Sequence, residues 1–347
     1  MRLALSCSLS LACILSGSAR AQEQAAPVEP DMTLLPYASA KDAVRLPDGR
    51  VISMVCAGSG SPTVILTAGG GNWGTTWNKV QPAIAERTRV CTWDRAGYGL
   101  SGPSPHVQTI DNTTADLEAA LVAGGITGPY VVVGHSLGGL ESLLLKDRQS
   151  SNVVGMVLVD PSIPGQLEAM ERAAPDNLQL ARMQQQQYTD GLERCAEAIV
   201  RNPRACERPA IPADYPEPLR AAVAAPRAPE MDAAYMRTVA SFVDSIDEDS
   251  QIAIKRDRNY GDMPLIVLKA GQSNIPPQTP QRLKDQAAAQ AVEMRRGHEA
   301  LASLSVRGEL IVVEDSGHGI QQTRPDAVID AIERVLDAAA GDGAKPS

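Results

Sequence analysis

Short apolar runs recur along the chain, each the length of a strand, with helical patterns between them. This alternation constrains the fold more than any other feature of the sequence. TVILT (Thr63 to Thr67), RVCTW (Arg89 to Trp93), YVVV (Tyr130 to Val133), VVGMVLV (Val153 to Val159), LIVL (Leu265 to Leu268) and ELIVV (Glu309 to Val313) are short and largely apolar, as strands buried on both faces are. RVISMVCA (Arg50 to Ala57) reads as a further strand after the turn Pro47-Asp48-Gly49. DLEAALVA (Asp116 to Ala123) is an amphipathic helix stopped by Gly124-Gly125, and Pro325 to Ala338 reads as a closing helix. Strands alternating with helices predict an α/β fold, with a mostly parallel sheet covered on both faces.

The rhythm breaks between about Ser162 and Asp262. That stretch is rich in Ala, Gln, Arg, Glu and Pro, with few β-branched residues and helical spacing. It predicts a helical insertion over 162–262, between the two parts of a core at 41–161 and 263–340. The chain starts with Met1-Arg2, an apolar run and Ala19-Arg20-Ala21, the layout of a secretory signal cleaved after Ala21. An uncleaved anchor is the alternative. Residues 22–40, rich in Ala, Gln, Pro and Glu, read as a linker. The expectation is an exported protein, periplasmic or secreted, with no stable membrane insertion after cleavage.

Export makes the cysteine count meaningful. Residues 1–21 hold two of the six cysteines and leave Cys56, Cys91, Cys195 and Cys206, an even number suited to disulfides. Cys195 and Cys206 are near neighbours on a helical pair and are expected to join, which leaves Cys56 for Cys91. No pair has C-x-x-C spacing, so no zinc site is expected. A formal charge of -9 disfavours a polyanionic partner, and 3% aromatic residues disfavour a base-stacking surface. No nucleic-acid partner is therefore expected.

The chemistry concentrates at Gly134-His135-Ser136-Leu137-Gly138. This G-x-S-x-G follows an apolar strand and opens a helix, the context of a nucleophile elbow. A glycine-rich turn that merely packs helix on strand is the plainer reading, and the spacing is not the G-x-G-x-x-G of a dinucleotide fold. A serine needs a base, and the chain has four histidines. His135 is expected to point away from the face of Ser136. His106 lies in a Pro/Ser loop, and His298, in RRGHEALASL, is expected to be a solvated helix residue. His318, in EDSGHGI after the last strand, fits the chain order serine, acid, histidine.

The acid is less plain. The loop after Leu268, KAGQSNIPP, has no carboxylate before Asp285. Asp160 ends the strand that follows the elbow unit, and is the choice; a simple turn cap before Pro161 is the alternative. Asp285 and Asp315 are the reserves. The oxyanion hole needs two backbone N–H donors. Leu137, after the nucleophile, is one, and Gly70 in AGGGNWGTTW the other, with Gly71 next. A phosphate loop is set aside because Thr75-Thr76 stand where Lys and Ser/Thr are required.

Taken together, AGGGNWGTTW, DRAGYGLS (Asp94 to Ser101), GHSLGG and SGH make the chain resemble the α/β-hydrolase superfamily over about residues 44 to 338. The resemblance implies an eight-stranded sheet, a helical cap over the site and no cofactor. It also implies that Cys56 and Cys91 lie on neighbouring strands. A departure is the absence of an acid just after Leu268. The expected function is hydrolysis of a small-molecule carboxylic ester or related acyl compound through an acyl-enzyme on Ser136. Lactonase, thioesterase, aminopeptidase and C–C hydrolase chemistry are alternatives on the same triad, and a non-catalytic binding module is the alternative from another class. Tyr188, Met231, Tyr235, Met236 and Phe242 in the insertion are either pocket or core residues, and the oligomeric state is open.

Overall fold

A computed structural model describes residues 28–39, 41–273 and 275–343. The expected signal segment and residues 22–27 and 40 of the expected linker lie outside these. In chain order the strands are β1 (Val44–Arg45), β2 (Val51–Ile52), β3 (Met54–Ala57), β4 (Thr63–Thr67), β5 (Val90–Trp93), β6 (Tyr130–His135), β7 (Val153–Val159), β8 (Leu265–Ala270) and β9 (Gly308–Val313). The α-helices are α1 (Gln81–Ala85), α2 (Ile110–Ala123), α3 (Leu137–Arg148), α4 (Gln166–Ala173), α5 (Pro175–Arg201), α6 (Glu217–Ala224), α7 (Pro229–Asp244), α8 (Ile246–Ile252), α9 (Gln281–Ala302), α10 (Ile320–Thr323) and α11 (Pro325–Gly343).

The main sheet runs β3-β5-β4-β6-β7-β8-β9. Only the β3–β5 pair is antiparallel. This is an α/β-hydrolase fold with seven strands in the main sheet among the described residues, not the eight that were expected. The run Arg50 to Ala57 does not stay one strand. At Ser53 the N–H leaves the ladder for Ser101 Oγ (2.8 Å), so β2 pairs with β1 in a separate hairpin and β3 with β5. Trp77, Ile84, Val328, Ile332 and Val335 form one apolar layer against the sheet, and Leu117, Leu121, Leu140 and Leu143 the other. Burial on both faces explains why the strand sequences show no alternation.

Two further details bear on the site. Residues expected to be linker form a 3-10 helix over Met32–Ala38, because Leu34 and Tyr37 pack with Val55 and Leu219. Helices α4 to α8 all lie between β7 and β8, within the expected insertion. The structure joins Cys56 to Cys91, which face each other across the β3–β5 ladder, and Cys195 to Cys206. Among the described residues no helix is long and apolar enough to cross a membrane.

Candidate active site

Register puts the candidate nucleophile and the candidate acid on one rim. His135, the last residue of β6, pairs with Val159, the last of β7. Ser136 and Asp160 are the next residues on each strand, and both leave the sheet at the same edge. Both have positive φ, 52° at Ser136 and 41° at Asp160, a conformation that costs a side-chain-bearing residue of order 1–3 kcal/mol. The surroundings hold them there. Ser136 N–H donates to Val159 O (3.1 Å), Ser162 N–H to Ser136 O (2.9 Å), and Asp160 N–H to Leu268 O (2.7 Å). A Cβ at Gly138 would sit 2.6 Å from the carbonyl oxygens of Thr67 and Ala68, so the helix can approach β4 only with glycine there.

His318 reaches this rim from the loop between β9 and α10. Its Nδ1 lies 2.7 Å from Asp160 Oδ2, and Asp160 Oδ1 accepts the Ala270 N–H at 2.9 Å. Burial works against the Asp160 carboxylate, but the bonds from His318 and Ala270 outweigh it and hold its pKa below the ordinary value. With Nδ1 engaged, Nε2 is the ring nitrogen left for proton transfer. Among the described residues no hydrogen bond joins Ser136 Oγ to His318. The reserve acids have other partners. Asp285 accepts from Gln281 within α9, and Asp315 is exposed with Arg324 3.8 Å away.

The glycine loop after β4 lies over the elbow. A Cβ at Gly70 would stand 3.7 Å from the Phe242 ring and 3.9 Å from Leu137 Cδ2. Among the described residues neither the Gly70 nor the Leu137 N–H has a protein acceptor. The loop is held from beneath by Arg95, which donates to Ala68 O (2.7 Å) and Gly69 O (3.1 Å) and forms an ion pair with Glu141 on α3.

Three sequence expectations need correction or addition. His135 does not point away from the site. Its Nε2 is 2.9 Å from His318 O, the two rings are 4.7 Å apart, and a Cβ on Gly69 would come within 2.7 Å of its Nδ1. Burial, the largest influence, and the nearby His318 push its pKa down to about 4, so it stays neutral. His298 is not solvated: it is buried, with Nε2 2.8 Å from Pro161 O, and burial lowers its pKa. Arg95 figures in the sequence only as part of DRAGYGLS, and its pairing with Glu141 is an addition from the structure, although an acid within LGGLESLLL is a signal, since a charge in a buried run demands a partner.

Two cavities flank the rim. One of about 210 Å³ is lined by Leu137, Leu140, Leu167, Met170, Leu178 and Ile246, among others. The other, about 870 Å³, begins at Gly71 and Asn72 and includes Trp73, Tyr98, Tyr188 and Tyr215. Of the insertion residues named above, Phe242 is buried against the glycine loop, and Tyr188 lines the larger cleft. Among the described residues no cluster of His, Cys, Asp or Glu is suited to hold a metal.

Comparison with known proteins agrees with this architecture. Residues 59–331 match the family model described as "Alpha/beta hydrolase family". The Bacillus subtilis (strain 168) protein YqjL is 27% identical over 288 residues, covering 81% of this chain and 86% of YqjL. Among solved structures, a thermophilic esterase from Thermogutta terrifontis aligns over 86% of this chain and 98% of its own, with a TM-score of 0.50 and 22% identity. An epoxide hydrolase from metagenomes of hot environments aligns over 85% and 97%, with a TM-score of 0.56 and 20% identity. At these identities the structural matches speak for the fold alone, whereas the family match spans most of the chain: the protein is a member of the alpha/beta hydrolase family.

Proposed function

We propose that the chain is an exported serine hydrolase that cleaves a carboxylic ester or related acyl bond. The observation that carries this reading is the Asp160–His318 contact of 2.7 Å on the rim where Ser136 leaves β6. Ser136 Oγ attacks the carbonyl carbon while His318 Nε2 takes its proton. The contact between them forms as substrate binds, since such bonds are often long in an empty site. Asp160 holds the ring with its proton on Nδ1 and stabilises the imidazolium. The carbonyl oxygen, now an oxyanion, accepts from the Gly70 and Leu137 N–H groups at the positive end of the α3 dipole. His318 then gives the proton to the departing alkoxide. Water, deprotonated by the same histidine, attacks the acyl-enzyme; as the acyl–Oγ bond breaks, His318 returns the proton to Ser136 Oγ and the carboxylic acid leaves.

Helices α4 to α8 act as the cap. The apolar part of the substrate occupies the pocket beside Leu137, and its more polar part the wider cleft beyond Gly71. The two disulfides suit an oxidising compartment. A fluorophosphonate probe should label the wild type at Ser136 and leave Ser136→Ala unlabelled. p-Nitrophenyl esters should outpace lactones and aminoacyl anilides. An intact protein that resists the probe would sink the serine mechanism and favour a binding role.

A further inference from the structure

We propose that the buried Arg95–Glu141 pair is a positioning device for the oxyanion hole, fixing the Gly70 N–H relative to the Leu137 N–H. The inference rests on the reading that these two groups receive the oxyanion. Arg95 sits in the turn after β5 and Glu141 in the second turn of α3, the helix that begins with Leu137. Their side chains are 2% and 0% exposed. Arg95 Nε donates to Glu141 Oε1 at 2.8 Å and Nη2 to Oε2, so the pair is bidentate. Thr113 Oγ1 donates to Glu141 Oε1 at 2.5 Å and holds the carboxylate from the α2 side. The Trp93 and Phe242 rings stand 5.7 and 5.3 Å from the guanidinium carbon.

The same guanidinium also reaches the loop, through Nη2 to Ala68 O and Nη1 to Gly69 O. The second of these bonds matters most. The Gly69 carbonyl and the Gly70 N–H belong to one planar peptide, and this peptide is not among the cis bonds of the described chain. In a trans peptide the two groups point in opposite directions. Holding the carbonyl down onto Arg95 therefore aims the N–H of Gly70 up and away, toward the space above Ser136. Glu141 ties that guanidinium to the helix whose first N–H is the other donor. The planar fork, together with the Asn72 N–H that also donates to Gly69 O at 3.2 Å, thus sets one donor against the other. Lysine has the charge but not the fork, and a single ammonium cannot bond Glu141 at both oxygens and both carbonyls in this geometry.

A merely structural pair would be easy to replace, because apolar groups of matching volume often serve stability as well as a buried ion pair. The test must therefore read the oxyanion hole and not the fold. An oxo ester and its thiono counterpart differ in the atom that becomes the anion, and sulfur fits a hole built for oxygen poorly. The ratio of their kcat/KM values does not depend on how much of a sample is folded. Arg95→Lys should lower kcat for the oxo ester by about 30-fold or more, part of the roughly 100- to 1,000-fold that follows loss of a whole donor. KM should stay within about threefold, and the oxo/thiono ratio should fall at least tenfold. Glu141→Asp, which withdraws the carboxylate by one methylene, should shift the ratio the same way by less, and supplies the measurement if the lysine variant is insoluble. An unchanged ratio in an enzyme whose wild type is labelled at Ser136 would overturn the proposal. A wild type that takes no fluorophosphonate would instead remove the serine mechanism, and this proposal with it.

Discussion

Asp160→Asn isolates one proton. The substitution keeps the size and shape of the side chain, and the two oxygens of Asp160 have separate tasks: Oδ1 accepts from the Ala270 N–H at 2.9 Å and Oδ2 faces His318 Nδ1 at 2.7 Å. Asparagine has one acceptor oxygen and one NH₂ donor. The buried Ala270 N–H has no use for a donor, so the amide oxygen settles there and the NH₂ turns to His318. Nδ1 must then accept, which moves the ring proton to Nε2, the nitrogen that has to be free to receive the proton of Ser136. On the proposed mechanism the variant keeps its pocket and oxyanion donors but loses its base. A wrong tautomer of this kind costs about 10⁴ in kcat in a serine protease. For this open site, with the His318 side chain 60% exposed, we expect a loss of about 10³- to 10⁴-fold, or about 4–5.5 kcal/mol. KM should change little, since no substrate contact is removed. Initial rates on p-nitrophenyl butyrate, normalised by active-site titration, measure this. Asp315→Asn and Asp285→Asn are the controls and should stay within about twofold of wild type. Retention of more than a tenth of the wild-type kcat by Asp160→Asn would refute the tautomer argument, and a collapse in either control would move the acid elsewhere.

His135 should leave a mark on stability. Its folded-state pKa of about 4 lies below the ordinary histidine value, so the unfolded chain binds the extra proton first as pH falls. The stabilisation is present above about pH 6.5, and up to about 3 kcal/mol of it is lost on descent toward pH 4. Asp94 and Asp249, whose carboxyls burial pushes up to about 6 and about 7, act in the opposite sense. The readout is therefore the difference between wild type and His135→Asn in urea unfolding at pH 7 and pH 4.5; equal pH dependence in both would contradict the assignment. Replacing Cys56 and Cys91 with serine opens a loop closed across 35 residues and should lower stability by about 3–4 kcal/mol by chain entropy, visible as a lower urea midpoint. Met170→Trp should fill the pocket beside Leu137 and cut kcat/KM for p-nitrophenyl octanoate at least tenfold more than for the acetate. Equal loss on both esters would place the chain elsewhere.

Much of this was legible in the sequence because the signals are local. An uninterrupted β-branched run, a tight turn and a helical pattern are properties of neighbouring residues, so β4 to β9 and the elbow at Ser136 stand out along the chain. Where a strand stops depends on what lies beside it, and Ser53 leaves the ladder only because Ser101, distant in sequence, offers its hydroxyl. That detail divides one expected strand, Arg50 to Ala57, between the β1–β2 hairpin and the main sheet. The acid was the same kind of question. Asp160 was the choice from its place at a strand end, with Asp285 and Asp315 in reserve, but its contact with His318, 158 residues away, exists only across space. His135 and His298 were misjudged because a histidine's surroundings come from other elements: His318 and Gly69 in one case, Pro161 in the other. Arg95 and Glu141, 46 residues apart, had no local reason to be paired. Backbone propensity and hydrophobic periodicity act over a few residues and are written in order along the chain. The buried polar contacts that aim a peptide N–H or fix a tautomer act across space, and exist only once the sheet has brought their partners together.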